Sequence, residues 1–255
     1  MRGVPLREIA DFLDGYLEVH STADYPNALN GLQVEATGPV ARFAVAVDSS
    51  EAVIEAVRDW ADLLIVHHGL FWGGLKPLTG PHFRRVKTLI ESGTALYSVH
   101  LPLDSHPEVG NSAVLARALG LTSLEPFGEC KGAKVGWWGC LKGSKTDIGA
   151  CAATLSAVLG NEVRTLPGGP DAVSRVGVVT GAGASAIGEA AALGLHVLVT
   201  GEAQHHHAID AAEAGITVLL GGHYATETWG VKKIGELLTG HFGIEGRFVD
   251  SPTGL

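Results

Sequence analysis

The chain reads as an α/β protein: two α/β lobes with mixed, mostly parallel sheets covered by helices, and a metal site between them. Three observations predict this. Short apolar runs alternate with amphipathic stretches along most of the chain, as strands joined by crossover helices do. The alternation breaks once, around Glu125 to Ala133, where Pro, Gly and charged residues intervene. And several apolar runs end in His, Asp or Glu, at the carboxyl edge where open α/β sheets bind their ligands.

Phe43 to Val47 reads as the first strand, and the helix after it starts near Ser49 or Ser50, either able to cap it, and runs to about Trp60. Leu63 to Val66 is the next strand and His82 to Ser92 the next helix. Ala95 to Val99 is a third strand, and Asn111 to Leu119 a helix closed by Gly120. Beyond the break, strands are expected at Val135 to Leu141, Arg175 to Thr180, His196 to Thr200 and Thr217 to Leu220. Helices are expected at Asp147 to Leu159, Ala184 to Leu193, Ala203 to Ala214 and Thr226 to Leu238. The boundary falls near residue 128: residues 1–127 form the first lobe and 128–225 the second. The C-terminal segment 226–255 is free to complete the first lobe or to pack on the second.

At 255 residues the chain has enough length for a substantial core, and 46% hydrophobic with 18% charged residues is ordinary globular composition. A net charge of −9 argues against non-specific nucleic-acid binding, which depends on Lys and Arg neutralising phosphates. Cys130, Cys140 and Cys151 make an odd set without a C-x-x-C pair, so no disulfide scaffold is expected. Met1 to Arg7 lacks the features of a signal peptide, and no run reaches the ~20 uncharged apolar residues of a membrane span. The expectation is a cytoplasmic protein.

Three strand ends deliver similar ligands. Leu63-Leu64-Ile65-Val66 runs into His67-His68-Gly69. Adjacent side chains on a strand point to opposite faces, so the pair serves two ions, or a turn at Gly69 brings both to one. The run ending at Val99 delivers His100 and Asp104. Val218-Leu219-Leu220-Gly221-Gly222 delivers His223 and Glu227, whose i, i+4 spacing places both on one helical face. His67, His68, His223, Asp104 and Glu227 form a mixed N/O set that suits Zn, Fe, Mn or Ni better than Ca or Mg. Five ligands exceed one tetrahedral site and suit two divalent ions that share a carboxylate.

The strings Asn30-Gly31-Leu32-Gln33-Val34, His67-His68-Gly69, Asp104 with Gly110-Asn111, Thr200-Gly201-Glu202 with His207, and Gly222-His223-Tyr224-Ala225-Thr226-Glu227 cover nearly the whole chain. Together they resemble the NGG-interacting-factor-like dinuclear metal proteins, often labelled type II GTP cyclohydrolase I homologues. The resemblance implies that the five residues above are dimetal ligands, in a toroidal homohexamer whose metals face a central cavity. It also implies a metal-dependent hydrolase acting on a nucleotide or a related phosphorylated or heterocyclic small molecule, with His207, Glu202 and His100 beside the metals as proton carriers or supporting groups. One departure is local: Leu101-Pro102 stands where a more polar pair is expected. The rival class is a non-catalytic metal-bound ring that binds a partner protein or small effector.

Other segments have competing readings. Gly181-Ala182-Gly183-Ala184-Ser185-Ala186 matches a dinucleotide fingerprint, with Glu202 about 20 residues on, or is simply a glycine-eased turn. His205, His206 and His207 splay over ~200° on a helix, so all three cannot meet one ion. Of Trp137 and Trp138, one is expected in the core and the other at a lobe or subunit contact, with Cys140 as a small core residue.

Overall fold

The computed structural model describes residues 3–142 and 146–255; Met1 and Arg2 of the N-terminal stretch read above lie outside them. The chain forms two compact units, residues 1–103 with 230–251, and residues 104–229 with 252–255.

The first unit begins with β1 (Val4–Pro5), α1 (Leu6–Tyr16), β2 (Gly31–Val34), β3 (Pro39–Val40), β4 (Arg42–Asp48), α2 (Glu51–Val57), β5 (Leu63–His68), α3 (Gly80–Ser92) and β6 (Ala95–Ser98). Then come α4 (Leu101–Asp104), α5 (Asn111–Ala118), β7 (Leu121–Cys130), β8 (Ala133–Leu141), β9 (Thr146–Asp147), α6 (Ile148–Leu159), β10 (Arg164–Leu166), β11 (Ala172–Val173) and β12 (Arg175–Val178). A short 3-10 turn (Gly183–Ala186) leads into α7 (Ile187–Ala192), followed by β13 (Val197–Thr200), α8 (His205–Ala214), β14 (Thr217–Leu220), α9 (His223–Phe242) and β15 (Glu245–Phe248). Helix α9 starts in the second unit, and from Gly230 onward it belongs to the first, as does β15.

In the first unit the main sheet has the order β15-β4-β5-β6-β2, parallel except for β2, which runs antiparallel to β6. Leu63, Leu64, Ile65 and Val66 are all buried, as a central parallel strand covered on both faces requires. Leu64 and Val66 pack with Ala44, Ala46, Val53, Ile54, Val57, Leu89 and Leu96. The Ser50 hydroxyl accepts the Val53 N–H at 3.2 Å and caps α2, as its sequence position suggests.

In the second unit the sheet order is β10-β14-β13-β12-β8-β7, with β12, β13 and β14 parallel and the remaining pairs antiparallel. The sequence-based boundary near residue 128 falls inside β7, a strand of this unit. The stretch read as a break is the end of a long antiparallel hairpin. Cys130 pairs with Ala133, and Lys131 (φ 53°) and Gly132 (φ 89°) form its two-residue turn, whose positive φ values match the twist of the strands. Trp137 packs on the core formed by Leu115, Leu155, Val176 and Val199, while the Arg175 guanidinium lies 4.7 Å above the Trp138 ring. Cys140 is exposed, contrary to the core position expected for it: it takes the outward side of β8, next to inward Gly139.

Leu64→Ala should destabilise the protein by about 2–5 kcal/mol in chemical denaturation, because the strand is covered on both faces and a cavity there cannot collapse.

Candidate metal centre

In the first unit β4, β5 and β6 end side by side, and their register sets the donors. Asp48 lies opposite His68, and Val66 opposite Ser98. His67 and His68 leave one strand on alternate faces, yet their rings come to 4.7 Å between centroids, and His100 stands 5.0 Å from His67 and 5.8 Å from His68. Ligand atoms of these three imidazoles all lie within 4.8 Å of one another.

Each ring is held by its Nδ1. His67 Nδ1 donates to the Val99 carbonyl at 3.0 Å, His68 Nδ1 to Asp48 Oδ1 at 2.9 Å, and His100 Nδ1 to Asp24 Oδ1 at 2.9 Å. A carbonyl or carboxylate can only accept, so each neutral ring carries its proton on Nδ1 and its lone pair on Nε2. This is how metal-ligating imidazoles are usually oriented. Burial alone would raise the Asp24 carboxyl; hydrogen bonds from His100, Asn30 and the Leu101 N–H outweigh it and keep the group below the usual carboxylate range. Asn30 also accepts the His100 backbone N–H, and the Trp72 indole stands edge-on to His100 at 4.6 Å and to His68 at 6.2 Å. Gly69 leaves no room for a side chain, because a Cβ there would run into Gln33 and Ser98.

The second unit carries the other predicted donors. Asp104 ends α4 and accepts the Asn111 amide at 2.9 Å, so the Gly110-Asn111 string serves to hold this carboxylate. His223 and Glu227 share a face of α9, with His223 Nε2 3.1 Å from Glu227 Oε2 and His223 Nδ1 3.1 Å from Glu202 Oε1. The hydrogen bond to Glu227, against the opposing effect of burial and with help from Glu202, pushes His223 up to about 9. Gly181 (φ +62°) belongs to this group: a Cβ there would collide with Glu227 Oε1, and its N–H donates to Thr226 Oγ1 at 3.1 Å. The fingerprint glycine thus makes room for a carboxylate of the chain itself, and Glu202 is directed at His223.

His207 stands apart from these hydrogen bonds. Its Nδ1 accepts the Gln204 N–H at 3.0 Å as a cap of α8, and its ring lies against His206. Sequence reasoning missed Asp48 and Asp24. The first was legible as a carboxylate ending the strand beside His68; the second sits in the irregular stretch before β2, which has no periodicity to mark it.

These features define an α/β protein of two units whose His and carboxylate side chains include groups that could hold a metal ion. The chain belongs to the Duf34/NIF3 (NGG1p interacting factor 3) family, whose model matches residues 4–253. It is 44% identical over 250 residues to a Deinococcus radiodurans protein named GTP cyclohydrolase 1 type 2 homolog, covering 97% of this chain and 94% of that one. Among solved structures it is similar to TTHA1606 from Thermus thermophilus (40% identity, 98% and 99% of the two chains, TM-score 0.86). It is similar also to protein ybgI, described as of unknown function (35% identity, 100% of both chains, TM-score 0.90). Among the described residues no helix is long and apolar enough to cross a membrane.

In metal-free protein the charged His223–Glu227 pair should impose a pH dependence. The folded value of about 9 lies above the ordinary ~6.5 of imidazole, so the stabilisation is complete below ~6.5 and lost as pH rises through about 9. Thermal unfolding midpoints should fall across that window, and fall less in Glu227→Gln.

Proposed function

We propose that this protein is a metal-dependent hydrolase in which His67, His68, Asp104, His223 and Glu227 hold two divalent ions. The observation that carries the reading is the set of Nδ1 hydrogen bonds, which leaves Nε2 lone pairs of neighbouring imidazoles together at one sheet edge. The donor chemistry fits, since imidazole with carboxylate suits Zn, Fe, Mn or Ni. When bound, a pair of such ions supplies Lewis acidity and lowers the pKa of a water toward ~7.

The chain's own groups have separable tasks. Val99 O and Asp48 fix the rings of His67 and His68, and Asn111 fixes Asp104. Asp24 orients His100, whose Nε2 is the candidate proton acceptor, and Glu202 takes the proton on His223 Nδ1 as a hydrogen bond. The Trp72 indole packs edge-on against His100 and His68. We leave His207 out of the proton path, because its Nδ1 is engaged as a helix cap. The substrate class is a nucleotide or a related phosphorylated or heterocyclic molecule, a reading supported by the family resemblance and the names of relatives. The same resemblance supports a toroidal homohexamer, and the odd cysteine set without a C-x-x-C pair supports a cytoplasmic location.

The combined variant His68→Ala/His223→Ala should lose its tightly held metal by elemental analysis, and stoichiometric retention refutes the ligand assignment. Metal-loaded protein should turn over at least one member of a panel of nucleotides and phosphoesters; inactivity with Zn, Fe, Mn and Ni in turn would favour the non-catalytic ring. Light scattering after size exclusion should give a species several times the 26.4 kDa chain, and a monomer excludes the toroid.

A further inference from the structure

A separate group of donors stands on α8, within the second unit. His206, His207 and Asp210 offer ligand atoms that all lie within 4.8 Å of one another, and the two imidazole rings have centroids 4.1 Å apart. Helix geometry produces the cluster. Asp210 follows His206 by four residues and His207 by three, so it lies one turn beyond both and on their face. Side chains on a helix lean toward its N-terminus, which carries the Asp210 carboxylate back toward the two rings. His205 is rotated ~140° from Asp210 and cannot join them. His207 and Asp210, together with Ser185, Gly188 and Glu213, line a groove of about 600 Å³.

We propose that His206, His207 and Asp210 bind one further divalent transition-metal ion, such as Zn²⁺ or Ni²⁺, with its remaining coordination positions open to the groove. Two imidazoles and one carboxylate form a mixed N/O set of the kind these ions prefer over Ca²⁺ or Mg²⁺. Three protein ligands leave room for water or a small ligand, unlike a closed structural site. None of these donors belongs to the dimetal set proposed above, so either assignment can fail alone.

The helix cap adds a consequence specific to this chain. Because His207 Nδ1 accepts the Gln204 N–H, the neutral ring carries its proton on Nε2. Burial, and then the neighbouring His206, hold His207 below the usual imidazole range, so the ring is neutral near pH 7. For the ion to bind at Nε2, the ring's single proton moves to Nδ1 and the Gln204 N–H loses its acceptor. Metal capture therefore breaks the hydrogen bond from the Gln204 N–H at the start of α8, and the site is weaker than a preformed one.

The test is a Zn²⁺ titration by calorimetry of the full chain already carrying its tightly held metal, with circular dichroism to verify folding of each variant. Wild type should take up one equivalent with affinity on the order of micromolar. His206→Ala/Asp210→Asn should weaken that step at least about tenfold, while His205→Ala should keep it. Hydrogen exchange of the Gln204 amide should quicken when Zn²⁺ is added to wild type. Unchanged uptake in the double variant would overturn the proposal, as would equal loss in His205→Ala, which would mean diffuse binding to a run of histidines. Gln204 exchange unaffected by Zn²⁺ would exclude His207 as a ligand.

Discussion

The candidate metal chemistry depends on one constraint: an imidazole can present a lone pair in a chosen direction only if its other nitrogen is held. In this protein the holding groups are supplied by strand register. Parallel pairing of β4 with β5 places Asp48 opposite His68, and the backbone that continues β6 supplies the Val99 carbonyl for His67. The apolar run of β5 is therefore more than core. Shifting it by one residue would move His68 away from Asp48, so the pairing that buries the strand also orients the ligand. His100 follows the same logic with a side-chain acceptor from outside the sheet, Asp24, whose carboxylate is in turn fixed by Asn30 and the Leu101 N–H.

Much of the fold was legible because its strands are buried on both faces and its helices carry their own start and stop signals. Ser50 caps α2, Asp147 caps α6 through the Ala150 N–H, and Gly120 takes a positive φ just past α5. One feature was missed for a physical reason. The β7–β8 hairpin turns on Lys131-Gly132, and a lysine in the left-handed region gives no turn signal in the sequence, whereas Asn-Gly would have. That hairpin joins the second sheet through antiparallel pairing of β8 with β12, and β10 adds an antiparallel strand at the other edge, on β14. Helix α1, absent from the expected elements, buries Leu6, Ile9, Ala10 and Leu13 at i, i+3, i+4, i+7, the helical period its sequence carries.

The candidate site was legible to a different degree. Residues that end strands announce themselves, because an imidazole or carboxylate after an apolar run is out of place in a core; His67, His68 and His223 were found this way. The groups that hold them have no such mark. Asp24 pairs with His100 across a sequence separation of 76 residues and Tyr97 donates to Asp14 across 83, and no local pattern encodes contacts of that range.

Gly181 shows how a correct local observation can carry the wrong chemistry. Glycine at a strand-to-helix turn, with a downstream acid, is the pattern of a phosphate cradle, and the demand on the backbone is the same: close approach by an anion and a positive φ. In this chain the anion is Glu227 of α9, and the downstream acid, Glu202, holds the imidazole that pairs with it. A dinucleotide pyrophosphate would have to displace a carboxylate already paired with His223 and only 5% exposed at its side chain, at the cost of leaving that imidazole's Nε2 without its carboxylate. The turn therefore works as a template for the His223–Glu227 pair. Any side chain at position 181 would disturb both members together, through the clash with Glu227 and through backbone strain at φ +62°.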